Sequence, residues 1–244
     1  MNKNYIIIYG GSSLISKELL KILAKEEYDS FIIFCRNRKI VEDYILELKL
    51  QHLEVKIFEV DLLDLKSNVS LIEKLESNIL GLIWVAGLTG NPDEEYLDSD
   101  KCEANLKINF IYPVLLINKI LSKMKTGNKS FLAVLTSVAG LRGRSKRLFY
   151  SSAKSGLISY LSGIRQKLNK EKINVTTVIP GYINTKPFNI KAPSFLISSP
   201  EKSAQIIYSA IKKEKEIVYI NFYWKIIMFC INLIPEKIYK KFNF

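Results

Sequence analysis

Histidine is almost missing from these 244 residues: His52 stands alone, in the polar-to-apolar junction Q-H-L-E-V. A single histidine excludes His-based catalytic triads and multi-histidine metal sites, so no metal is expected, and His52 reads as a surface-loop residue. Cysteine is scarce, scattered at Cys35, Cys102 and Cys230, and forms no C-x-x-C pair. That usage implies neither a disulfide framework nor a zinc site, and it fits a reducing compartment. A charged n-region, an apolar h-region and a cleavage site are all missing; Met1 leads within a few residues into a strand-like run. The chain is therefore expected to stay uncleaved and cytoplasmic. Internal repeats, low-complexity tracts and inter-domain linkers are absent too. Acidic residues are outnumbered, 24 Asp plus Glu against 36 Lys plus Arg, for a formal charge of +12. This balance suits phosphates or lipid headgroups without choosing between them, and lysine spread through the chain is equally a solvated surface. A nucleic-acid partner would rest on charge alone and is not expected.

What is present is an alternation of short apolar runs and amphipathic helices, the pattern of a parallel sheet covered on both faces. Strands are expected at Tyr5–Tyr9, Phe31–Cys35, Val55–Val60, Leu82–Ala86, Phe131–Leu135, Val175–Ile179 and Ile217–Ile220. Helices are expected at Leu14–Lys25, Ile40–Leu50, Leu71–Glu76, Cys102–Lys123, Phe149–Lys170 and Pro200–Lys213, the last opened by Ser199 as cap and Pro200 at its first position. A loop is expected around Asn91-Pro92, and Tyr182–Ser199 reads as a long loop of the kind that forms lids. At this length one core suffices, so the fold class is a single α/β, Rossmann-like, doubly wound sheet of about seven parallel strands. It is assigned to residues 1–220, with residues 221–244 as an apolar and basic extension.

The alternation places Gly10-Gly11, Asp61, Gly87, Ser137 and Pro180-Gly181 at carboxyl ends of strands, the edge where open parallel sheets bind ligands. Gly10-Gly11-Ser12-Ser13 can turn backbone N–H groups and a helix N-terminus toward a pyrophosphate. Arg36 and Arg38 follow the second strand, where an adenosine ribose would lie, and no acid stands beside them in sequence. That favours a 2′-phosphate, hence NADP(H) over NAD(H). Within Leu135–Lys154, Tyr150 and Lys154 are four apart and share a helical face, with Ser137 at the preceding strand end. An ammonium beside a phenol is expected to lower the phenol's pKa and make it a usable proton donor. Asn109 sits inside the apolar surface of the Cys102–Lys123 helix, where an amide needs partners.

These residues resemble the classical short-chain dehydrogenase/reductase family over nearly the whole chain. The family's Asn, Ser, Tyr, Lys tetrad is matched by Asn109, Ser137, Tyr150 and Lys154, and its P-G-x-x-x-T loop by Pro180, Gly181 and Thr185. The resemblance implies carbonyl reduction, with Ser137 polarising the carbonyl, Tyr150 donating the proton, Lys154 holding down the tyrosine pKa and Asn109 tying Lys154 to a water relay. It also implies Asp61 at the adenine, Thr185 at the nicotinamide end and Lys154 at the nicotinamide ribose. The full cofactor set so implied is Gly10, Gly11, Ser12, Ser13, Leu14, Ile15, Arg36, Asp61, Leu62, Ala86, Gly87, Pro180, Gly181, Ile183 and Thr185. Two motifs depart from the family: Leu14 and Ser16 replace the later glycines of T-G-x-x-x-G-x-G, and Trp84-Val85-Ala86-Gly87 replaces N-N-A-G.

Two further features bear on substrate. Arg142, Arg144, Lys146 and Arg147 lie between Ser137 and Tyr150, and such a cluster can hold a phosphate; Arg142 and Arg144 are the substrate candidates. Ile217–Ile234 is apolar and aromatic, interrupted by Asn221, Lys225 and Asn232, and followed by Lys237, Lys240 and Lys241. It is too broken to span a bilayer and reads as an interfacial helix, with a dimer or lid contact as the alternative. Together these features resemble the polyprenylphosphoryl-2-keto-ribose reductases. That resemblance implies a lipid-linked sugar substrate in cell-envelope glycan precursor synthesis, a partner oxidase and peripheral contact with the inner face of the plasma membrane. The alternatives are a soluble ketone or 3-oxoacyl reductase, or a non-catalytic NADP(H)-binding scaffold; a homo-oligomer is compatible with each.

Overall fold

The computed structural model describes residues 3–26, 28–76, 78–89, 98–127, 129–185 and 192–242. Its centre is a seven-stranded sheet in the order β3-β2-β1-β4-β5-β6-β9. The strands are β1 (Tyr5–Tyr9), β2 (Ser30–Cys35), β3 (Glu54–Glu59), β4 (Ile79–Trp84), β5 (Ser130–Leu135), β6 (Ile173–Ile179) and β9 (Ile217–Tyr219). Every pairing is parallel. A parallel sheet is covered on both faces, which is why β1, β2 and β5 read as unbroken apolar runs and are buried at every position. Strand order reverses between β1 and β4, so the crevice of the doubly wound fold opens beyond Tyr9 and Trp84.

The helices are α1 (Leu14–Leu23), α2 (Arg38–Glu47), α3 (Leu65–Glu73), α4 (Ser99–Leu106), α5 (Tyr112–Leu121), α6 (Leu148–Leu168) and α7 (Pro200–Lys212). One apolar layer joins α3, α5 and α6 to the sheet through Ile72, Leu116, Ile120, Leu157 and Leu161; the other joins α1 and α7 through Leu19, Leu23, Ala204 and Ile207. Ser13, Asn37, Asp64 and Ser199 cap their helices by accepting backbone N–H groups. The Asp64 cap starts α3 at Leu65, six residues before the apolar spacing suggested. The expected Cys102–Lys123 helix begins at Ser99 and is interrupted by a π-helical turn, Lys107–Ile111. Pro113 accounts for the interruption, because it has no N–H to give the carbonyl of residue 109.

The expected loop after β6 contains two short strands, β7 (Tyr182–Ile183) and β8 (Ile197–Ser198), which pair in parallel. Asn91-Pro92 and residues 186–191 lie outside the described residues. Beyond β9 come α8 (Tyr223–Leu233) and the short α9 (Glu236–Tyr239). The inner face of α8 buries Trp224 and Met228 against Val138 and Ile179. Trp224 donates its indole N–H to Leu196 O at 3.1 Å. Its ring also occupies the space that a side chain at Gly181 would need. Among the described residues, no helix is long and apolar enough to cross a membrane.

Truncating a buried tryptophan removes both transfer energy and packing, about 3–5 kcal/mol in a core. Trp224→Ala is therefore expected to lower unfolding free energy by roughly 3 kcal/mol in urea titrations. A loss below about 1 kcal/mol would show that α8 adds little to the fold.

Candidate active site

A cleft of about 430 Å³ opens at the carboxyl edge, over the ends of β1, β2 and β4. Gly10, Ser12, Ser13, Leu14, Arg36, Asp61, Leu62, Ala86, Gly87 and Thr185 line it, ten of the residues the sequence assigned to a cofactor. Gly10 has φ +98°, and a Cβ there would come within 2.6 Å of Ala86 N. Only glycine accepts both that dihedral and that approach. Ser16 stands at a lost motif glycine, and its hydroxyl donates to Gly10 O at 2.9 Å, holding the turn by a hydrogen bond. The glycine turn and the N-terminus of α1 make a cradle suited to a pyrophosphate, so the residues present fit a dinucleotide.

The remaining five cofactor candidates do not line this cleft. Gly11 packs on Ile33, and Ile15 is buried in the core with its N–H bonded to Ser13 Oγ at 3.2 Å. Pro180, Gly181 and Ile183 lie below its Thr185 end: Pro180 O accepts from Val138 N at 2.9 Å, and Gly181 supports Trp224. Arg38 is occupied elsewhere, with Nε on Glu42 at 2.7 Å and Nη1 on Ile57 O at 3.2 Å. Among the described residues, Arg36 is thus the cation that borders the cleft. The neighbourhood is not free of acid as the linear sequence suggested: Glu59 accepts the Arg38 backbone N–H at 2.8 Å. Tyr9, Phe34, Thr89 and Ile108 also line the cleft and were not picked out, because no motif marks them.

Beyond Gly87 the four tetrad candidates converge. Asn109, in the π turn, donates through Nδ2 to Leu88 O at 2.7 Å and to Asn105 Oδ1 at 2.9 Å, and its Oδ1 accepts from Leu88 N at 3.1 Å. A Cβ at Gly87 would lie 3.0 Å from Asn109 Oδ1 and 3.3 Å from Lys154 Nζ, so both side chains press on bare backbone. Lys154 Nζ donates to Leu135 O at 3.4 Å and stands 5.7 Å from the centroid of the Tyr150 ring. Gly140 lets the turn after Ser137 rest directly on the α6 backbone at Lys154. Burial drives the Lys154 pKa down to about 8. Burial also raises the Tyr150 pKa, opposed by its hydrogen bond with Ser137 and by the charge of Arg147. This corrects the expected direction: the ammonium lies over the ring and does not overcome desolvation, so the phenol keeps its proton at neutral pH.

The basic cluster divides. Arg142 Nη2 pairs with Glu236 at 3.1 Å, Nη1 donates to Ile231 O, and the guanidinium lies 3.7 Å from the Tyr239 ring centroid. The side chain that the sequence offered for substrate therefore latches the C-terminal segment instead. Arg147 donates to Thr89 O at 2.8 Å, tying the loop to the cleft rim. Arg144 meets Met228 Sδ at 3.7 Å, a weak acceptor for a guanidinium.

A doubly wound sheet with a dinucleotide cradle and an adjacent Ser, Tyr, Lys, Asn group defines an oxidoreductase. Residues 4–192 match the family described as short chain dehydrogenase, and the chain belongs to that family. An uncharacterized oxidoreductase of Mycobacterium tuberculosis is 25% identical over 240 residues, covering 97% of this chain and 96% of that one. A 3-oxoacyl-[acyl-carrier-protein] reductase of Bos taurus is 25% identical over 178 residues, covering 73% and 75%. Among solved structures, a short chain dehydrogenase from Burkholderia cenocepacia in complex with NADP superposes with a TM-score of 0.81 at 16% identity, covering 98% and 97%.

The depressed Lys154 pKa has two consequences. Below about pH 8 the ammonium is charged in both folded and unfolded chains and its burial cost is fully present; between about 8 and the ordinary 10.5 the unfolded chain binds more protons, so stability rises with pH. Lys154→Met is expected to be inactive yet more stable at pH 7, by on the order of 3 kcal/mol in urea titration. Reductive kcat/KM is expected to fall as pH rises through about 8, as the ammonium is lost. Equal stability of wild type and variant across this range would contradict the buried charge.

Proposed function

We propose that this chain is an NADPH-dependent reductase of a keto group, and that its substrate is a lipid-linked, polyprenylphosphoryl 2-keto sugar. The observation that carries the reductase reading is the convergence of Ser137, Tyr150, Lys154 and Asn109 beside the Gly10 cradle. NADPH, when bound, supplies the hydride. Ser137 Oγ orients and polarises the carbonyl oxygen, and Tyr150, still protonated, delivers its proton to that oxygen. Lys154 stabilises the phenolate that proton transfer leaves behind. The Asn109 turn, opened by Pro113, offers a backbone carbonyl through which a water can resupply the proton. Arg36, at the cleft edge, selects a 2′-phosphate.

The lipid-linked part of the reading rests on the C-terminal segment, residues 221–244, taken as an interfacial extension of the 1–220 domain. The outer face of α8 exposes Phe222, Tyr223, Ile226, Phe229 and Leu233, with Phe229 at 65% and Leu233 at 67%. Lys225, Lys237, Lys240 and Lys241 are exposed around it. An aromatic face ringed by lysines suits the headgroup region of an anionic bilayer. Its inner face packs on the loop after Ser137, so contact with the inner face of the plasma membrane would bring the site to a lipid-borne substrate, with Arg144 at the phosphate. A partner oxidase would make the keto group that this reaction consumes. The second reading, a soluble 3-oxoacyl or ketone reductase, draws on the Bos taurus relative.

NADPH oxidation with polyprenylphosphoryl 2-keto-pentose separates the readings. Tyr150→Phe is expected to lose about 10²–10⁴-fold, the worth of a positioned acid. Arg144→Ala is expected to raise KM for the phosphorylated substrate about tenfold and leave a soluble ketone unaffected. Sedimentation with phosphatidylglycerol vesicles is expected for wild type and lost when Phe229 and Leu233 become serine. Turnover of soluble ketones alone, without vesicle binding, would favour the second reading. NADPH binding without turnover of any ketone would leave the scaffold.

A further inference from the structure

The replacement of N-N-A-G by Trp84-Val85-Ala86-Gly87 removes side-chain amides from the sheet edge, yet that edge is well held in this chain. Four aromatic rings lie in register across the last turn of four strands: Tyr9 faces Phe34 and Trp84, and Phe34 faces Phe58. Their centroids are 5.3 Å apart for Phe58 and Phe34, 4.7 Å for Phe34 and Tyr9, and 4.2 Å for Tyr9 and Trp84, with interplanar angles of 25°, 9° and 12°. Tyr9, Phe34 and Trp84 are at most 2% exposed. Stacking of this kind adds about 0.5–1.5 kcal/mol per pair beyond area burial.

Two members of the ladder, Trp84 at its end and Tyr9 beside it, make hydrogen bonds that reach the cleft. Trp84 Nε1 donates to Ala86 O at 3.1 Å, across the bend where β4 gives way to Gly87. The Tyr9 hydroxyl donates to Asn68 Oδ1. Asn68, fully buried on α3, spends both amide hydrogens on the turn after β3, donating to Asp61 O at 2.7 Å and Asp64 O at 2.6 Å. Asp61 in turn accepts the Leu63 N–H at 2.9 Å through its carboxylate. Burial keeps the Tyr9 phenol protonated, so it acts as a fixed donor. The chain Tyr9, Asn68, Asp61 is neutral until its last member, and every polar group in it has a partner.

We infer that Tyr9, Trp84 and Asn68 are positioning residues for cofactor binding: the stacked ladder fixes the Asp61–Leu62 and Ala86–Gly87 walls of the cleft in place of the missing amides. The inference rests on the reading of this cleft as a dinucleotide site. It goes beyond that reading by assigning the adenosine end a brace that touches no 2′-phosphate. Because the brace acts on the walls and not on the phosphate, its loss weakens NADPH and NADH alike, whereas loss of Arg36 weakens NADPH selectively.

Equilibrium titration of NADPH and NADH against the full chain, followed by cofactor fluorescence, tests this. Tyr9→Phe keeps the stack and removes the hydroxyl; Trp84→Phe keeps a ring and removes the indole N–H. Each is expected to raise Kd for both cofactors about five- to tenfold, in line with one lost hydrogen bond. Arg36→Ala is expected to raise Kd for NADPH only. Amide hydrogen exchange at Leu63 is expected to be quicker in Tyr9→Phe than in wild type. Unchanged Kd in both ladder variants, or a lower melting temperature with Kd unchanged, would overturn the positioning role. Failure of wild type to bind either cofactor would overturn the dinucleotide reading itself and the brace with it.

Discussion

The ammonium of Lys154 is the constraint around which the carboxyl edge is arranged. It is 4% exposed and desolvation sets its titration, so among the described residues no acid compensates for its burial. Taking a cation out of water without a counter-charge is unfavourable by several kcal/mol, and dipoles must supply what a carboxylate would. Leu135 O accepts one of its hydrogens, and the bare backbone of Gly87 lies against both the ammonium and the Asn109 amide. Each of these depends on a local departure from regular structure. Gly140 lets the Ser137 turn descend onto α6, Gly87 carries no side chain, and Pro113 opens the π turn that carries Asn109. A salt bridge would hold the lysine more firmly, but it would also quench the charge that a departing phenol proton requires.

The same edge is held by different physics on its two sides. At the catalytic end the supports are polar, and burial of the Lys154 ammonium lowers stability there. Under β1 to β4 the support is apolar: stacked rings in register, with hydrogen bonds from Trp84 at one end and from Tyr9 beside it. The C-terminal segment closes the third side, resting Trp224 on Gly181 and receiving Arg142 at Ile231 and Glu236. The loop after Ser137 therefore contacts both α6 and α8, and movement of either would reach the serine hydroxyl.

Much of this architecture was readable in the linear sequence, and the reasons are physical. Parallel strands buried on both faces leave continuous apolar runs, so all seven were placed within a few residues of their observed limits. The Tyr150–Lys154 pair shares a helical face because its spacing is fixed by helical geometry, whereas Asn109 and Ser137 stand on other elements and were marked only by the family resemblance. The start of α3 was missed because it depends on a cap, Asp64, and not on apolar periodicity. The π turn was missed because its cause, Pro113, lies inside a stretch whose hydrophobicity reads as continuous helix. Arg142 could not be assigned from sequence, since its partner Glu236 is 94 positions away, whereas the Arg38 partner Glu42 stands only four residues on along α2. Tyr150 was misjudged in direction because sequence proximity to a cation is visible, whereas desolvation is a property of the packed site.

The division of the basic loop narrows what a substrate phosphate would meet. A guanidinium already holding a carboxylate, a carbonyl and an aromatic face, as Arg142 does, would have to surrender all three to bind an anion, and the C-terminal segment would lose its anchor. Arg147 likewise holds Thr89 O at the rim of the cleft and contributes charge toward Tyr150. Arg144 faces the thioether of Met228, a contact that an anion displaces at little cost. The loop thus combines a latch on the C-terminal segment, Arg142, with a part-buried cation, Arg144, whose bond to the inner face of α8 is weak. Under the lipid-linked reading proposed above, Arg144 and not Arg142 is the side chain left to meet a phosphate.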